Sequence, residues 1–158
     1  PGRIPTKVLR EAQDLATEVV LRIGEAGVFC VELFSLINGS LLVNEIAPRP
    51  HNSGHHTIDT FTISQYELQI RALCGLPMPT PVMKGHSVLL NILGEEMSQL
   101  ATEAKWKSIL ANQHARIYLY GKESIRPGRK MGHILFQGDE LATLIPEALE
   151  TQKLLAYP

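Results

Sequence analysis

The chain has 158 residues, 44% of them hydrophobic and 20% charged, with a formal net charge of −1 and a pI near 6.7. This is the composition of a soluble globular protein, long enough for one typical domain or two small ones with a buried core. The near-neutral balance gives no global case for a nucleic-acid or membrane partner, and no run approaches the roughly 18 apolar residues of a membrane helix. No signal peptide is visible, and the first residue is Pro1 rather than Met, which reads as a fragment or a processed product. Cys30 and Cys74 have no metal-ligand spacing; they read as small buried hydrophobes of a reducing compartment.

The first predicted element is a helix over residues 5–26. Val8, Leu9, Ala12, Leu15, Ala16, Val19, Val20 and Ile23 form its apolar stripe, Thr6 is the N-cap, and Gly24 and Gly27 stop it. Next come two runs rich in β-branched and aromatic residues, Val28–Phe34 and Leu41–Ile46, joined through Asn38-Gly39, the strongest short-range hairpin signal. If Asn38-Gly39 is a two-residue loop, Ile37 pairs with Ser40. Glu32 then falls opposite Glu45 on one face, with Cβ atoms about 5 Å apart. Directly opposed like charges destabilise a ladder, so the pair asks for a cation. Two carboxylates suit Mg²⁺, a hard ion bound by one or two carboxylates plus substrate phosphates. A three-residue loop would instead move the glutamates to opposite faces. Geometry alone also leaves open an ordinary hairpin with both glutamates in solvent.

The segment from Asn44 to Asp59 holds His51, His55 and His56, three of the six histidines, together with Arg49, and reads as an irregular functional loop. With the backbone extended, Glu45, Ala47 and Arg49 share a face. That brings a guanidinium suited to phosphate or carboxylate beside the metal. A second helix runs from about Ser64 to Leu73 and ends at Gly75. Leu76–Pro81 is the best linker. Beyond it the pattern gives strands at His86–Leu93, Ala115–Tyr120 and His133–Phe136, and a short helix at Lys105–Leu110. A last helix at Leu141–Leu149 is shortened or kinked by Pro146. Between them lies a basic loop, Lys122–Lys130, in which Lys122 and Arg129 flank Pro127-Gly128 and are placed to fold toward one anion.

Gly27–Phe34, the string Asn44-Glu45-Ile46-Ala47-Pro48-Arg49-Pro50-His51-Asn52-Ser53-Gly54-His55, and Tyr120–His133 closely resemble the 5-(carboxyamino)imidazole ribonucleotide synthetase family of ATP-grasp enzymes. The resemblance covers nearly the whole chain. It implies an α/β (α+β) architecture: the C-terminal part of an ATP-grasp domain with a mixed/antiparallel sheet over 1–76, a linker over 77–84, and a small C-terminal α/β domain over 85–158. It also implies a ligase that uses ATP and Mg²⁺ (or Mn²⁺) to carboxylate 5-aminoimidazole ribonucleotide with bicarbonate through carboxyphosphate, in purine biosynthesis. A cytoplasmic homodimer is expected.

By the same resemblance Glu32 and Glu45 hold the metal and its nucleotide, and Asn44 lines the nucleotide site. Arg49 and His51 are the catalytic pair facing carboxyphosphate and the imidazole, while Asn52, Lys122 and Arg129 bind the ribonucleotide. Ala47 stands where many ATP-grasp enzymes place an asparagine for a second metal, which argues against a full two-metal site and leaves the number of ions open. The family's N-terminal substrate domain and the half that covers the adenine have no counterpart here, so the isolated chain is expected to lack turnover. Two other readings of the same residues are a metal-dependent hydrolase using Glu32, Glu45 and the histidines, and a non-catalytic ribonucleotide-binding module using Lys122 and Arg129.

Overall fold

The structure is a computed structural model and describes residues 4–100 and 102–156. It divides into two compact units. One contains residues up to Ile58 together with Ile63–Pro81; the other contains Asp59–Thr62 and the chain from Val82 onward.

In the first unit, helix α1 spans Thr6–Ile23. It is shorter at both ends than the apolar stripe predicts. Pro5 rather than Thr6 is the N-cap; its fixed φ suits a helix entry, and its carbonyl accepts the Leu9 N–H at 3.1 Å. Gly24, left-handed at φ 71°, closes the far end by donating its N–H to the Val20 carbonyl. Strands β1 (Cys30–Ser35) and β2 (Leu41–Ala47) form an antiparallel hairpin. The following segment was expected to hold neither strand nor helix, yet it has a 3₁₀ turn at Asn52–Gly54 and a short helix α2 at Thr57–Thr60. Helix α3, Gln65–Leu73, starts at Ser64, whose side chain accepts the Glu67 N–H at 3.1 Å.

The turn of the hairpin differs from the two-residue loop expected. Leu36 donates to the Ser40 carbonyl and Gly39 donates to the Leu36 carbonyl, both at 2.9 Å, which leaves three residues in the loop. Gly39 adopts φ 84°, the left-handed position such a loop requires of its last residue. Ser35 therefore faces Leu41, and Leu33 faces Val43. Between Leu33 and Glu32 the register slips by one, because Asn44 bulges out of the ladder, and Glu32 is restored opposite Glu45. Turn and bulge offset each other.

In the second unit, β3 (His86–Leu93), β5 (Lys130–Gly138) and β4 (Ala115–Leu119) form an antiparallel sheet with β5 in the centre. Central position explains why β5 outruns the predicted His133–Phe136: all residues from Met131 to Phe136 are buried. Each large apolar side chain among them contributes about 1.5–3 kcal/mol by burial. Helix α4 (Gly94–Gln99), absent from the sequence reading, follows β3 at once, and α5 covers Glu103–Ala111. Helix α6 runs from Leu141 to Leu155, straight through Pro146. The proline deprives the Ala142 carbonyl of one bond, but the stripe Leu144, Ala148, Thr151 and Leu155 is buried against the sheet and carries the helix on.

Candidate functional site

In a regular strand Asn44 and Glu45 would point to opposite faces. The bulge sets both against Glu32: the Asn44 amide donates to Glu32 Oε2 at 3.5 Å while Glu45 is the register partner of Glu32. The two strands thus bring the Asn44 amide onto the Glu32 carboxylate and set Glu45 opposite Glu32 in the ladder. The Glu32 side chain is 44% exposed, so an ion or ligand can reach it.

His51 joins this cluster, with Nε2 at 3.5 Å from Glu32 Oε1. The other ring nitrogen, Nδ1, accepts the Ser53 N–H at 3.4 Å and lies 2.9 Å from Ser53 Oγ. The neutral ring therefore carries its proton on Nε2, toward the carboxylate. The main chain of His51 is fixed by Gln65, whose carbonyl oxygen accepts the His51 N–H and whose amide donates to the His51 carbonyl, both at 2.9 Å. The same amide nitrogen lies 2.9 Å from His55 Nδ1, which the Tyr66 hydroxyl also meets at 2.8 Å. Desolvation raises the Tyr66 pKa, keeping that hydroxyl protonated. Gln65 is only 6% exposed. Buried polar groups are stable only when fully bonded, and here one buried glutamine organises the whole loop.

Arg49 departs from the geometry expected of it. Strand β2 ends at the buried Ala47, the chain bends at Pro48-Arg49, and the guanidinium bonds the Pro50 carbonyl at 3.1 Å instead of continuing the face of Glu45. Asn52 opens the 3₁₀ turn, its carbonyl accepting the His55 N–H. His56 is turned away, with Nδ1 on the Ser53 carbonyl at 2.8 Å. The cysteines are less buried than predicted: Cys74 is exposed and Cys30 intermediate, its sulfur 3.5 Å from Ser53 Oγ.

Within the second unit, Arg126–Arg129 form a turn with Pro127 and Gly128 (φ 70°) at its centre, closed by Arg129 N–H to the Arg126 carbonyl. The loop is tied to α4. The Glu95 carboxylate accepts the Gly128 N–H at 2.7 Å; the bond from its own backbone first, and this one second, lower the Glu95 pKa. Gly94 lies so close to the Arg126 carbonyl that a Cβ there would meet the carbonyl carbon at 2.6 Å. Lys122 and Arg129 do not fold onto a common point. Lys122 Nζ bonds the Lys130 carbonyl at 2.6 Å and lies 5.3 Å from the Tyr120 ring centre, whereas Arg129 Nη1 bonds the carbonyl and hydroxyl of Ser124. Behind them His133 stacks on its register partner Tyr118 at 4.8 Å and bonds the Tyr120 hydroxyl through Nδ1 at 2.9 Å. The Tyr118 hydroxyl donates to Asp59 Oδ2 at 2.7 Å.

Residues 1–66 match the ATP-grasp domain family, which places the paired-glutamate hairpin in the ATP-grasp class. Residues 87–146 match the phosphoribosylaminoimidazole carboxylase C-terminal domain. A phosphoribosylaminoimidazole carboxylase of Ogataea methanolica is 50% identical over 141 residues, covering 85% of this chain and 25% of that protein. The N5-carboxyaminoimidazole ribonucleotide synthase of Bacillus subtilis is 40% identical over 136 residues, covering 86% of this chain and 34% of its own. The crystal structure of an Aspergillus clavatus N5-carboxyaminoimidazole synthase in complex with ADP and 5-aminoimidazole ribonucleotide superimposes with a TM-score of 0.84 at 31% identity, covering 97% of this chain and 41% of that one. The chain belongs to the N5-carboxyaminoimidazole ribonucleotide synthetase family, as the Asn44–His55 string indicates. It spans between a quarter and a third of the length of these curated relatives.

Sequence reasoning missed Gln65 and Cys30. Ser64-Gln65 reads only as a helix start, because the partners of the amide lie 10 and 14 residues away. Cys30 and His51 are too far apart in sequence for any ligand spacing to register.

Proposed function

We propose that this chain forms part of an ATP-dependent carbon–nitrogen ligase that carboxylates 5-aminoimidazole ribonucleotide with bicarbonate in purine biosynthesis. The observation that carries this reading is the Glu32 carboxylate, met by Asn44 and His51 and opposed in the ladder by Glu45, in a chain whose relatives bear the synthase name. Residues 1–76 would be the ATP-grasp part, 77–84 the linker and 85–158 the small C-terminal domain. The complete enzyme would be a cytoplasmic homodimer; the two free thiols suit that compartment.

The residues present fit a hard divalent cation. Glu32 and Glu45 oppose each other with like charge, and carboxylate oxygens are the ligands Mg²⁺ and Mn²⁺ select. When bound, such an ion supplies neutralisation of the charge that develops on the phosphate oxygens during phosphoryl transfer. Asn44, fixed beside Glu32, would line the nucleotide. Transfer of the terminal phosphoryl group of ATP to a bicarbonate oxygen releases ADP and gives carboxyphosphate. The ribonucleotide amine then attacks its carbon, displaces phosphate and gives up one nitrogen-bound proton to solvent. His51 holds a proton at Nε2, positioned to donate to an anionic oxygen in the carboxylate region. Arg49 would grip the bicarbonate-derived group, and Asn52, Lys122 and Arg129 would bind the ribonucleotide.

A chimera tests this directly: this sequence replaces its counterpart in the Bacillus subtilis synthase, and ADP release is followed. Release that requires both bicarbonate and the ribonucleotide, and that Glu45→Gln abolishes, is the expected result. A folded, ATP-binding chimera with no such dependence, or one indifferent to Glu45→Gln, would overturn the assignment.

A further inference from the structure

We propose that Cys30, Glu32 and His51 form a binding site for a thiophilic divalent cation of the Zn²⁺ type. Cys30 and Glu32 are two residues apart on β1 and so share a face of the strand. His51 reaches the same place from the segment after β2. The thiol sulfur, one carboxylate oxygen and one imidazole nitrogen all lie within 4.8 Å of one another, and His51 Nε2 is 3.5 Å from Glu32 Oε1. Around tetrahedral zinc, with bonds of about 2.0–2.3 Å, ligand atoms stand roughly 3.3–3.8 Å apart. Side-chain rotation of less than a bond length closes the difference.

The donor set decides the kind of ion. A thiolate and an imidazole are poor ligands for Mg²⁺ and good ones for Zn²⁺ or Co²⁺. Three protein ligands with an accessible fourth position is a familiar zinc coordination, and Glu32 is open to solvent on one side. Binding at Nε2 moves the imidazole proton to Nδ1, which gives up the 3.4 Å bond from the Ser53 N–H and donates instead to Ser53 Oγ, 2.9 Å away; that oxygen also lies 3.5 Å from Cys30 Sγ. Gln65 holds the His51 backbone from both sides, so the imidazole does not have to be ordered on binding. On metal binding the Cys30 thiol releases its proton to solvent.

This site shares Glu32 and His51 with the ligase site proposed above but stands on different chemistry, since Cys30 has no part there and Glu45 none here. A soft cation would therefore remove Glu32 and His51 from the ligase site and act as an inhibitor.

The test uses Co²⁺ as a spectroscopic probe on the full 158-residue chain. One equivalent should produce a thiolate-to-cobalt charge-transfer band that one equivalent of Zn²⁺ bleaches. Cys30→Ser should abolish the band, and Glu32→Gln should weaken binding about 10- to 100-fold. Cys74→Ser and Glu45→Gln should both leave it unchanged, so failure of the two-carboxylate reading would not imitate failure of this one. In the unmutated chain, Zn²⁺ should protect Cys30 but not the exposed Cys74 from iodoacetamide, mapped by mass spectrometry; this holds even if Cys30→Ser folds poorly. Absence of the band, its survival in Cys30→Ser, or equal alkylation of Cys30 with and without Zn²⁺ would each overturn the proposal.

Discussion

The side chain of Gln65 grips the main chain of His51 at two points, accepting its N–H and donating to its carbonyl, both at 2.9 Å. Removing the amide leaves both His51 groups without that partner, in a region where Gln65 itself is 6% exposed. Each orphaned polar group costs about 1–3 kcal/mol. Gln65→Leu should therefore lower stability by about 2–5 kcal/mol in urea unfolding. Gln65→Glu should lose less, because one oxygen still accepts the N–H while the other repels the carbonyl. Stability of Gln65→Leu within about 0.5 kcal/mol of the parent would deny the glutamine its organising role.

The basic loop should respond to a methyl group placed outside it. Gly94→Ala drives a Cβ into the Arg126 carbonyl and shifts the turn that carries Arg129. In the chimera, this variant should raise the KM for the ribonucleotide and leave that for ATP nearly unchanged. Arg129→Ala should act in the same sense by about 10- to 150-fold, the worth of one charge-assisted bond at roughly 1.5–3 kcal/mol. Loss of ATP affinity with an unchanged ribonucleotide KM would move the loop to the nucleotide.

One phenol should titrate late. Desolvation, then the bond to Asp59 and its charge, push the Tyr118 pKa from 10.0 to about 12. Because the folded value lies above the unfolded one, the stability it contributes is present below pH 10.0 and lost as pH rises through about 12. Ultraviolet titration of phenolate should show a tyrosine titrating near pH 12 that is missing in Tyr118→Phe. An unchanged titration curve for that variant would refute the shift.

The chain by itself should fold but not turn over. Phosphoryl transfer depends on positioning and charge stabilisation around the nucleotide, and this chain carries one part of a longer family pattern. It should also self-associate, because Phe34, Leu42 and Val43 on the hairpin are 55%, 52% and 41% exposed. Light scattering after gel filtration should find dimers or larger species. A monomer with substrate-dependent ADP release would contradict both expectations.

What the sequence revealed and what it hid divide along physical lines. The opposition of Glu32 and Glu45 was legible, although by a route the molecule does not take. Asn38-Gly39 serves equally as a two-residue loop or as the end of a three-residue one, and neighbouring residues do not distinguish them. The bulge at Asn44 depends on partners across the ladder, so no local propensity encodes it. Helix α6 outlasted Pro146 because its buried stripe offsets one missing bond, a tertiary effect invisible to a breaker rule. Helix α4 opens with the Glu96 carboxylate accepting the Leu93 N–H, half a capping box without the Ser or Thr that would have announced it.

The bulge at Asn44 also separates two parts of one hairpin mechanically. From Glu32 and Glu45 downward the strands keep one phase; from Leu33 and Val43 to the tip they keep another. The site's alignment is therefore set at Asn44, next to where it is needed, and not transmitted from the turn. A lineage can lengthen, shorten or decorate the tip, and the bulge acts as a slip joint that keeps such changes from reaching the carboxylates.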